Sequence, residues 1–151
     1  MRRMRYTKII AICVALSATA AAGEEAMVFG PRQFEADRSG AGAVLCAWSI
    51  YLTVQHYANA CGVARNAADD AIDEAIKAID EFILANSSLH PTRAALEAFK
   101  RRAAQSEAAS ARKFCENRDL EPFRSVTPQA LRESVSRLLA VPREPVVNPC
   151  L

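Results

Sequence analysis

The 151-residue chain has room for one domain with a hydrophobic core, and its formal net charge is +2. Four of its 19 basic residues lie among the first eight positions, so the chain beyond them carries 15 basic and 17 acidic side chains. This balance lacks the basic excess that nucleic-acid-binding proteins use, and we expect no nucleic-acid partner.

Residues 1–22 are typical of a secretory signal peptide. Their basic start is followed by an apolar stretch and then by small residues up to Gly23, which suit a signal peptidase. The apolar stretch is shorter than the ~20 residues that a membrane-spanning helix needs, and no later stretch is long and apolar enough. We therefore expect an exported chain, periplasmic or secreted, with no membrane span once the signal is removed.

Hydrophobic periodicity predicts helices, and no strands, in the rest of the chain. Residues 23–42 contain glycine and proline breakers and are predicted to form an N-terminal arm, in which Phe29 and Phe34 either pin the arm to the core or meet a partner. Apolar residues at three- and four-residue steps predict four helices. The first three span residues 43–61, 66–86 and 92–116. The fourth begins at the Thr127-Pro128 cap and ends before Pro142.

The predicted fold class is all-α. We expect residues 43–151 to form one disulfide-stapled helical domain, a small up-down-up-down four-helix bundle with an N-terminal arm and a disulfide-tethered C-terminal tail. The tail is rich in proline and has little helical support. Residues 142–149 are therefore expected to be held chiefly by the disulfide of Cys150.

Four cysteines, Cys46, Cys61, Cys115 and Cys150, remain after the signal peptide and can pair in an oxidising compartment. Cys46 and Cys61 lie on one predicted helix about 22 Å apart, whereas a disulfide needs Cα atoms within about 7 Å. In the predicted bundle, the ends of the first and third helices are neighbours, and the tail returns to the start of the first helix. This topology favours the pairs Cys61–Cys115 and Cys46–Cys150.

No catalytic or metal-binding motif stands out. The chain has no C-x-x-C pair, no cluster of cysteine and histidine, no nucleophile motif and no glycine-rich phosphate loop. The sequence predicts neither a metal nor a cofactor. The leading hypothesis is an exported non-enzymatic helical protein that binds another protein in the envelope or periplasm, such as an inhibitor or immunity factor for an envelope hydrolase.

The start of the second predicted helix is the candidate partner-binding surface. It carries like-charged pairs four residues apart, which repel each other on an isolated helix; the acids are Asp69, Asp70, Asp73 and Glu74. Either the basic residues of the third helix neutralise them within the molecule, or they form a patch that binds a cationic partner.

Two alternative functions use other residues. In the first, the protein is a carrier of a small apolar ligand, with a pocket between helices lined by Trp48, Tyr51, Leu52, Phe82 and Phe99, although the same set is also suited to an ordinary core. In the second, the protein is an enzyme in which His56 acts with a carboxylate of the second helix.

Overall fold

A computed structural model describes residues 30–111, 115 and 120–150. The predicted signal peptide and residues 23–29 of the arm, including Phe29, lie outside the described residues. The described helices are a 3-10 helix, Pro31–Phe34, and five α-helices: α1 Val44–Ala60, α2 Ala67–Asn86, α3 Arg93–Ala111, α4 Glu121–Arg124 and α5 Pro128–Leu138. The described part has no strand, so the all-α prediction is confirmed, whereas the 3-10 helix and α4 were not predicted.

The first turn of α2 is fixed by a reciprocal cap. The side chain of Asn66 accepts hydrogen bonds from the backbone N–H groups of Ala68 and Asp69, and the Asp69 carboxylate accepts one from the backbone N–H of Asn66 at 2.8 Å. Three N–H groups that would lack partners are thereby satisfied. The cap explains why the helix begins at Ala67.

We expect the change Asn66→Ala to lower the free energy of unfolding by about 1 kcal/mol, because it removes the side-chain acceptor from the start of α2. Urea unfolding should show a lower midpoint with an unchanged slope. The control is Asn59→Ala, at an exposed position inside α1, where alanine is the better helix former and no loss is expected. Equal losses in the two variants would contradict a specific capping role.

The long helices alternate in direction. The rings of Trp48 and Phe99, near the starts of α1 and α3, stack at 5.6 Å, and the Cys61–Cys115 disulfide joins the chain just after α1 to the chain after α3, so these two helices are parallel. α2 runs antiparallel to them and packs on α1. α5 also packs on α2 and runs parallel to it. The up-down-up-down bundle is therefore confirmed.

The core lies where α1, α2 and α3 meet. Its largest fully buried side chains include Trp48, Leu45, Ile72, Ile79, Ile83 and Leu96. The apolar stripe that helical spacing predicts on α2 is buried throughout; its residues are Ala68, Ile72, Ala75, Ile76, Ile79, Phe82 and Ile83.

Both disulfides join the predicted cysteine pairs. The Cα atoms of Cys46 and Cys150 are 5.2 Å apart, and those of Cys61 and Cys115 are 5.5 Å apart. The first disulfide ties the tail to the start of α1. The second closes the opposite end of the α1 and α3 pair.

The arm and the tail hold each other, and we call residues 30–42 together with residues 142–150 the arm–tail clasp. The buried side chain of Gln33 donates to Glu144, and its backbone carbonyl accepts from the N–H of Val147 at 2.8 Å. Arg143 donates to the Asp37 carboxylate at 2.7 Å and to the carbonyl of Gly42 at 2.6 Å. The clasp therefore rests on side-chain and backbone hydrogen bonds in addition to the disulfide.

The clasp bears on two expectations. Pro145 and Val146 of the tail are buried, so packing and hydrogen bonds hold this segment together with the Cys150 disulfide, and the disulfide as the chief anchor stays a prediction. Phe34 does not pin the arm into the core, because its side chain is 59% exposed, whereas Gln33 is the buried residue of the 3-10 helix.

The tail also completes the first helix. Ala43, at the N-cap position of α1, has no side chain that can accept a hydrogen bond from the first turn. The carbonyl of Val146 accepts the N–H of Leu45 at 2.9 Å in its place. A backbone carbonyl from the far end of the domain thus satisfies one of the free N–H groups at the helix start.

Candidate functional site

α1 carries apolar residues on more than one face. One face packs Trp48 and Leu52 into the core, as the sequence pattern predicts. A second face follows the spacing of three and four residues and consists of Ala43, Cys46, Ala47, Ile50 and Tyr51. This second face points away from α2 towards α5.

The second face of α1 borders a groove, because α5 packs closely on α2 and not on α1. The opposite wall is formed by Leu131, Ser134, Arg137 and Leu138 of α5. The space between the walls has a volume of about 450 Å³. We call it the α1–α5 groove.

The α1–α5 groove is mostly apolar, and two of its large apolar wall residues are exposed. Phe123 and Val126, which flank the end of α4, have 36% and 37% of their surface exposed. Pro149 also lines the groove, beside the disulfide of Cys46. Large apolar side chains exposed together at a groove are typical of a binding surface.

Arg137 is the single charged residue in the lining of the groove. Its guanidinium is exposed and forms no hydrogen bond or ion pair within the described parts of the chain. Arg132, five residues earlier on α5, instead points at α2 and donates to Glu74 at 2.8 Å. The groove therefore combines an apolar lining with one cation that is available to a ligand.

Asp69 does not belong to an exposed patch. It is buried and accepts two hydrogen bonds from Arg124, at 2.9 and 2.7 Å. The hydrogen bonds from Arg124 hold the pKa of the Asp69 carboxyl below its usual value. Arg124 also donates to the carbonyl of Ala64 at 2.9 Å, so the pair fastens α4 to the start of α2.

The other three predicted acids are paired at the surface. Arg65 donates to Asp70 at 2.6 Å and to Asp73 at 2.8 Å. The hydrogen bond from Arg132 holds the pKa of Glu74 below its usual value. Contact of Asp70, Asp73 and Glu74 with a cationic partner stays a prediction, and such a partner would compete with these arginines.

Within the described residues, the ion pairs of the acids at the start of α2 do not involve α3, whereas Arg112 and Lys113 of the predicted third helix lie outside those residues. The arginines that pair with those acids come from the loop before α2, from α4 and from α5. α3 instead contacts acids near the end of α2, where Lys100 reaches Asp80 at 2.5 Å and Arg93 reaches Glu81 at 2.8 Å. The antiparallel course of α2 and α3 explains this, because the start of α3 lies beside the end of α2.

The residues predicted to line a ligand pocket form core instead. Trp48, Leu52 and Phe82 are buried, and Phe99 stacks on Trp48. Four cavities of the described part have none of these four residues in their lining, whereas Tyr51 lines the α1–α5 groove. Close packing of the side chains fills the space between the helices, so the set forms ordinary core, and a ligand pocket among them stays a prediction.

A polar network within the core orients Trp48. Its indole N–H donates to the buried Asp80 at 2.9 Å, and Lys100 donates to the same carboxylate. Burial raises the pKa of Asp80 above its usual value, and the hydrogen bond from Lys100 opposes this shift. The network satisfies polar groups that would otherwise be costly to bury.

His56 pairs with a different acid from the one predicted. Its Nδ1 lies 3.2 Å from Oε2 of Glu107 on α3, and the Thr53 hydroxyl donates to the same carboxylate at 3.4 Å. The prediction of a partner on α2 is wrong, because His56 faces α3. The imidazole is buried between two helices and lines none of the grooves of the described part, so this pair links α1 to α3.

Among the described residues, no group of three or more histidine, cysteine, aspartate and glutamate side chains is arranged to hold a metal ion. No helix in the same parts of the chain has the length and apolar character to cross a membrane.

The groove residues were missed at the sequence level, although a signal for them existed. Ala47 and Ile50 are apolar, yet they line the groove and not the core that Trp48 and Leu52 of α1 enter. A helix that is apolar on several faces needs more than one partner surface. The second face of α1 thus indicated a further contact that the four-helix pattern did not account for.

Comparison with protein-family models, with curated proteins and with solved structures gave no significant match. The geometry of the described residues is therefore the basis for a functional proposal.

Proposed function

We propose that this chain is an exported, non-enzymatic helical protein that binds another protein through the α1–α5 groove. An inhibitor or immunity factor for an envelope hydrolase is one such protein. The observation that carries the proposal is the apolar groove of about 450 Å³ with Phe123 and Val126 exposed at its wall. Exposed aromatic and aliphatic side chains are typical anchors of protein interfaces.

A protein partner fits the groove better than a small apolar ligand. Small-molecule sites usually bury most of the ligand, and the pocket predicted for a carrier is filled by core side chains. The α1–α5 groove is bordered by two helices and is partly open, a shape that suits a segment of another protein.

Export is supported by the disulfides together with the signal-like start of the sequence. Two disulfides in one small domain are expected in an oxidising compartment and are rare in the cytosol. We therefore propose a periplasmic or secreted location. Fractionation of expressing cells and N-terminal sequencing of the product should find a chain that begins at Gly23 or Glu24, whereas an intact Met1 on cytoplasmic protein would contradict export.

The binding proposal is tested with two valine variants of the tagged mature protein. Val126→Glu places a charge in the groove, and Val141→Glu places the same charge at a valine that is 52% exposed and does not line the groove. Both variants should fold, because both positions are exposed. We expect a protein captured from envelope extract by the wild type to be lost with Val126→Glu and retained with Val141→Glu.

Circular dichroism and thermal unfolding check that both variants keep the fold. If every captured protein is retained by folded Val126→Glu, or if both variants lose it equally, the α1–α5 groove is not the binding surface.

A further inference from the structure

The length of the α1–α5 groove matches about two turns of helix. Its α1 wall runs from Ala43 to Tyr51, which at 1.5 Å per residue is roughly 12 Å, and its α5 wall runs from Leu131 to Leu138, roughly 10 Å. A helix laid between these walls presents residues at positions i, i+3 or i+4, and i+7 to them.

The α1 wall allows another helix to approach closely. Ala47 is the partly exposed small residue of this wall; it follows the buried Ala43 and Cys46, and Ile50 and Tyr51 lie beyond it. Small residues let helix axes come within the 8–10 Å at which helices pack. The α1 wall thus has the form of a helix-packing face that lacks a helix within the described structure.

The charge at the groove determines which charge we expect on the ligand. Arg137 is the single charged residue of the lining, and the described residues offer it no carboxylate. A carboxylate on the ligand would pair with this guanidinium at the edge of an apolar contact, where opposite charges favour one partner and one orientation.

From these features we infer that the α1–α5 groove takes an amphipathic helix of the partner protein, with an apolar ridge at i, i+3 or i+4, and i+7 and an aspartate or glutamate facing Arg137. This inference rests on the proposed function and adds the chemistry of the partner. The apolar ridge supplies the contact with α1 and α5, and the carboxylate fixes the register.

The test is a selection from a display library of helical peptides about four turns long, with the flank of an apolar ridge randomised. The target is the full mature protein, and the Val126→Glu protein serves as a competitor that removes peptides bound elsewhere. We expect selected peptides to carry an acid at one fixed distance from the ridge. A synthetic peptide with glutamate there should bind roughly fivefold more tightly than its lysine counterpart, and the ratio should fall as salt rises.

The charge swap Arg137→Glu should reverse this preference, so that lysine or arginine is selected at the same peptide position. The matched control is Arg101→Glu, at an exposed arginine of α3 that does not line the groove, and it should keep the preference for acid.

Three results would overturn the inference. If the selected peptides show no preference for an acid, Arg137 does not recognise the partner helix. The proposed function would still stand if the wild type, but not Val126→Glu, captures a natural partner. A selection that enriches no helical peptide over the competitor would reject the helix itself. Binding of laurate that depends on Arg137, with no peptide selected, would make the groove a site for a carboxylate lipid.

Discussion

Replacing Asp69 with asparagine should lower the free energy of unfolding by about 3–5 kcal/mol at neutral pH, because it leaves the guanidinium of Arg124 buried without its counter-charge. For a domain of this size, the midpoint of thermal unfolding should fall by on the order of 10 °C. The control is Asp70→Asn, in the neighbouring exposed pair with Arg65, which should change stability little.

The effect of Asp69→Asn should depend on pH. The hydrogen bonds from Arg124 keep the folded-state pKa of Asp69 below the unfolded value of 3.8, so the stabilisation is present above that pH and is lost as the pH falls through the folded pKa. The difference in unfolding free energy between wild type and variant should therefore be large near pH 7 and shrink towards pH 3. Urea unfolding at both pH values measures it, and a constant difference would contradict the prediction.

A double-mutant cycle separates the interaction energy of Asp69 and Arg124 from the cost of leaving either charge buried alone. Arg124→Met combined with Asp69→Asn leaves no buried charge at this position, so the combined loss should be smaller than the sum of the two single losses. Additive losses would mean that the two side chains act independently, in disagreement with their two hydrogen bonds.

Removing the Cys46–Cys150 disulfide, with Cys46→Ala and Cys150→Ser so that no free thiol remains, should lower the free energy of unfolding by up to about 4 kcal/mol. The disulfide spans 104 residues, and most of its effect comes from restricting the unfolded chain. The tail should nevertheless stay in place, because the arm–tail clasp keeps its hydrogen bonds and the buried side chain of Val146.

Limited proteolysis tests whether the tail stays bound. Residues 142–150 of the disulfide-free variant should be cut at a rate close to that of the wild type under conditions where both are folded. Val146→Asp, which keeps the disulfide but buries a charge, should release the tail and speed cleavage. Rapid cleavage of the disulfide-free tail would mean that the covalent link is the chief anchor after all.

The bundle could be predicted because its signals are local. The apolar stripe of α2 recurs at helical spacing, and the distance along α1 excludes a bond between Cys46 and Cys61. When the helix directions alternate, Cys115 lies near Cys61 and Cys150 lies near Cys46, so each cysteine has one partner within reach. The four long helices and the disulfide pairs thus follow from periodicity and simple geometry.

The partners of the acids could not be predicted, because two of the three arginines that meet them lie outside the periodic segments. Arg65 is in a loop and Arg124 is on a four-residue helix without an apolar repeat. Their positions depend on where the chain turns after α1 and before α5. The sequence pattern drew attention to the long basic helix α3, whose described cations Arg93 and Lys100 instead pair with acids near the end of α2.

The groove exists because α5 packs mainly on α2, and no local sequence pattern specifies which helix α5 will contact. α5 has one buried stripe, which includes Leu131, Val135 and Leu138, and that stripe could pack on α1 or on α2. Arg124 pairs with Asp69 and draws the start of α5 to α2, which leaves the second face of α1 uncovered. The candidate site is thus a product of tertiary packing.

The contact between Val146 and Leu45 has a consequence for the order in which the protein can fold during synthesis. α1 leaves the ribosome about a hundred residues before the carbonyl that satisfies its first turn, and the partner of Cys46 emerges later still. Until then, α1 has an open start and the arm has no tail to bind. The arm–tail clasp and the Cys46–Cys150 disulfide can therefore form only after residues 142–150 have been synthesised, so they are the last contacts of the domain to become available.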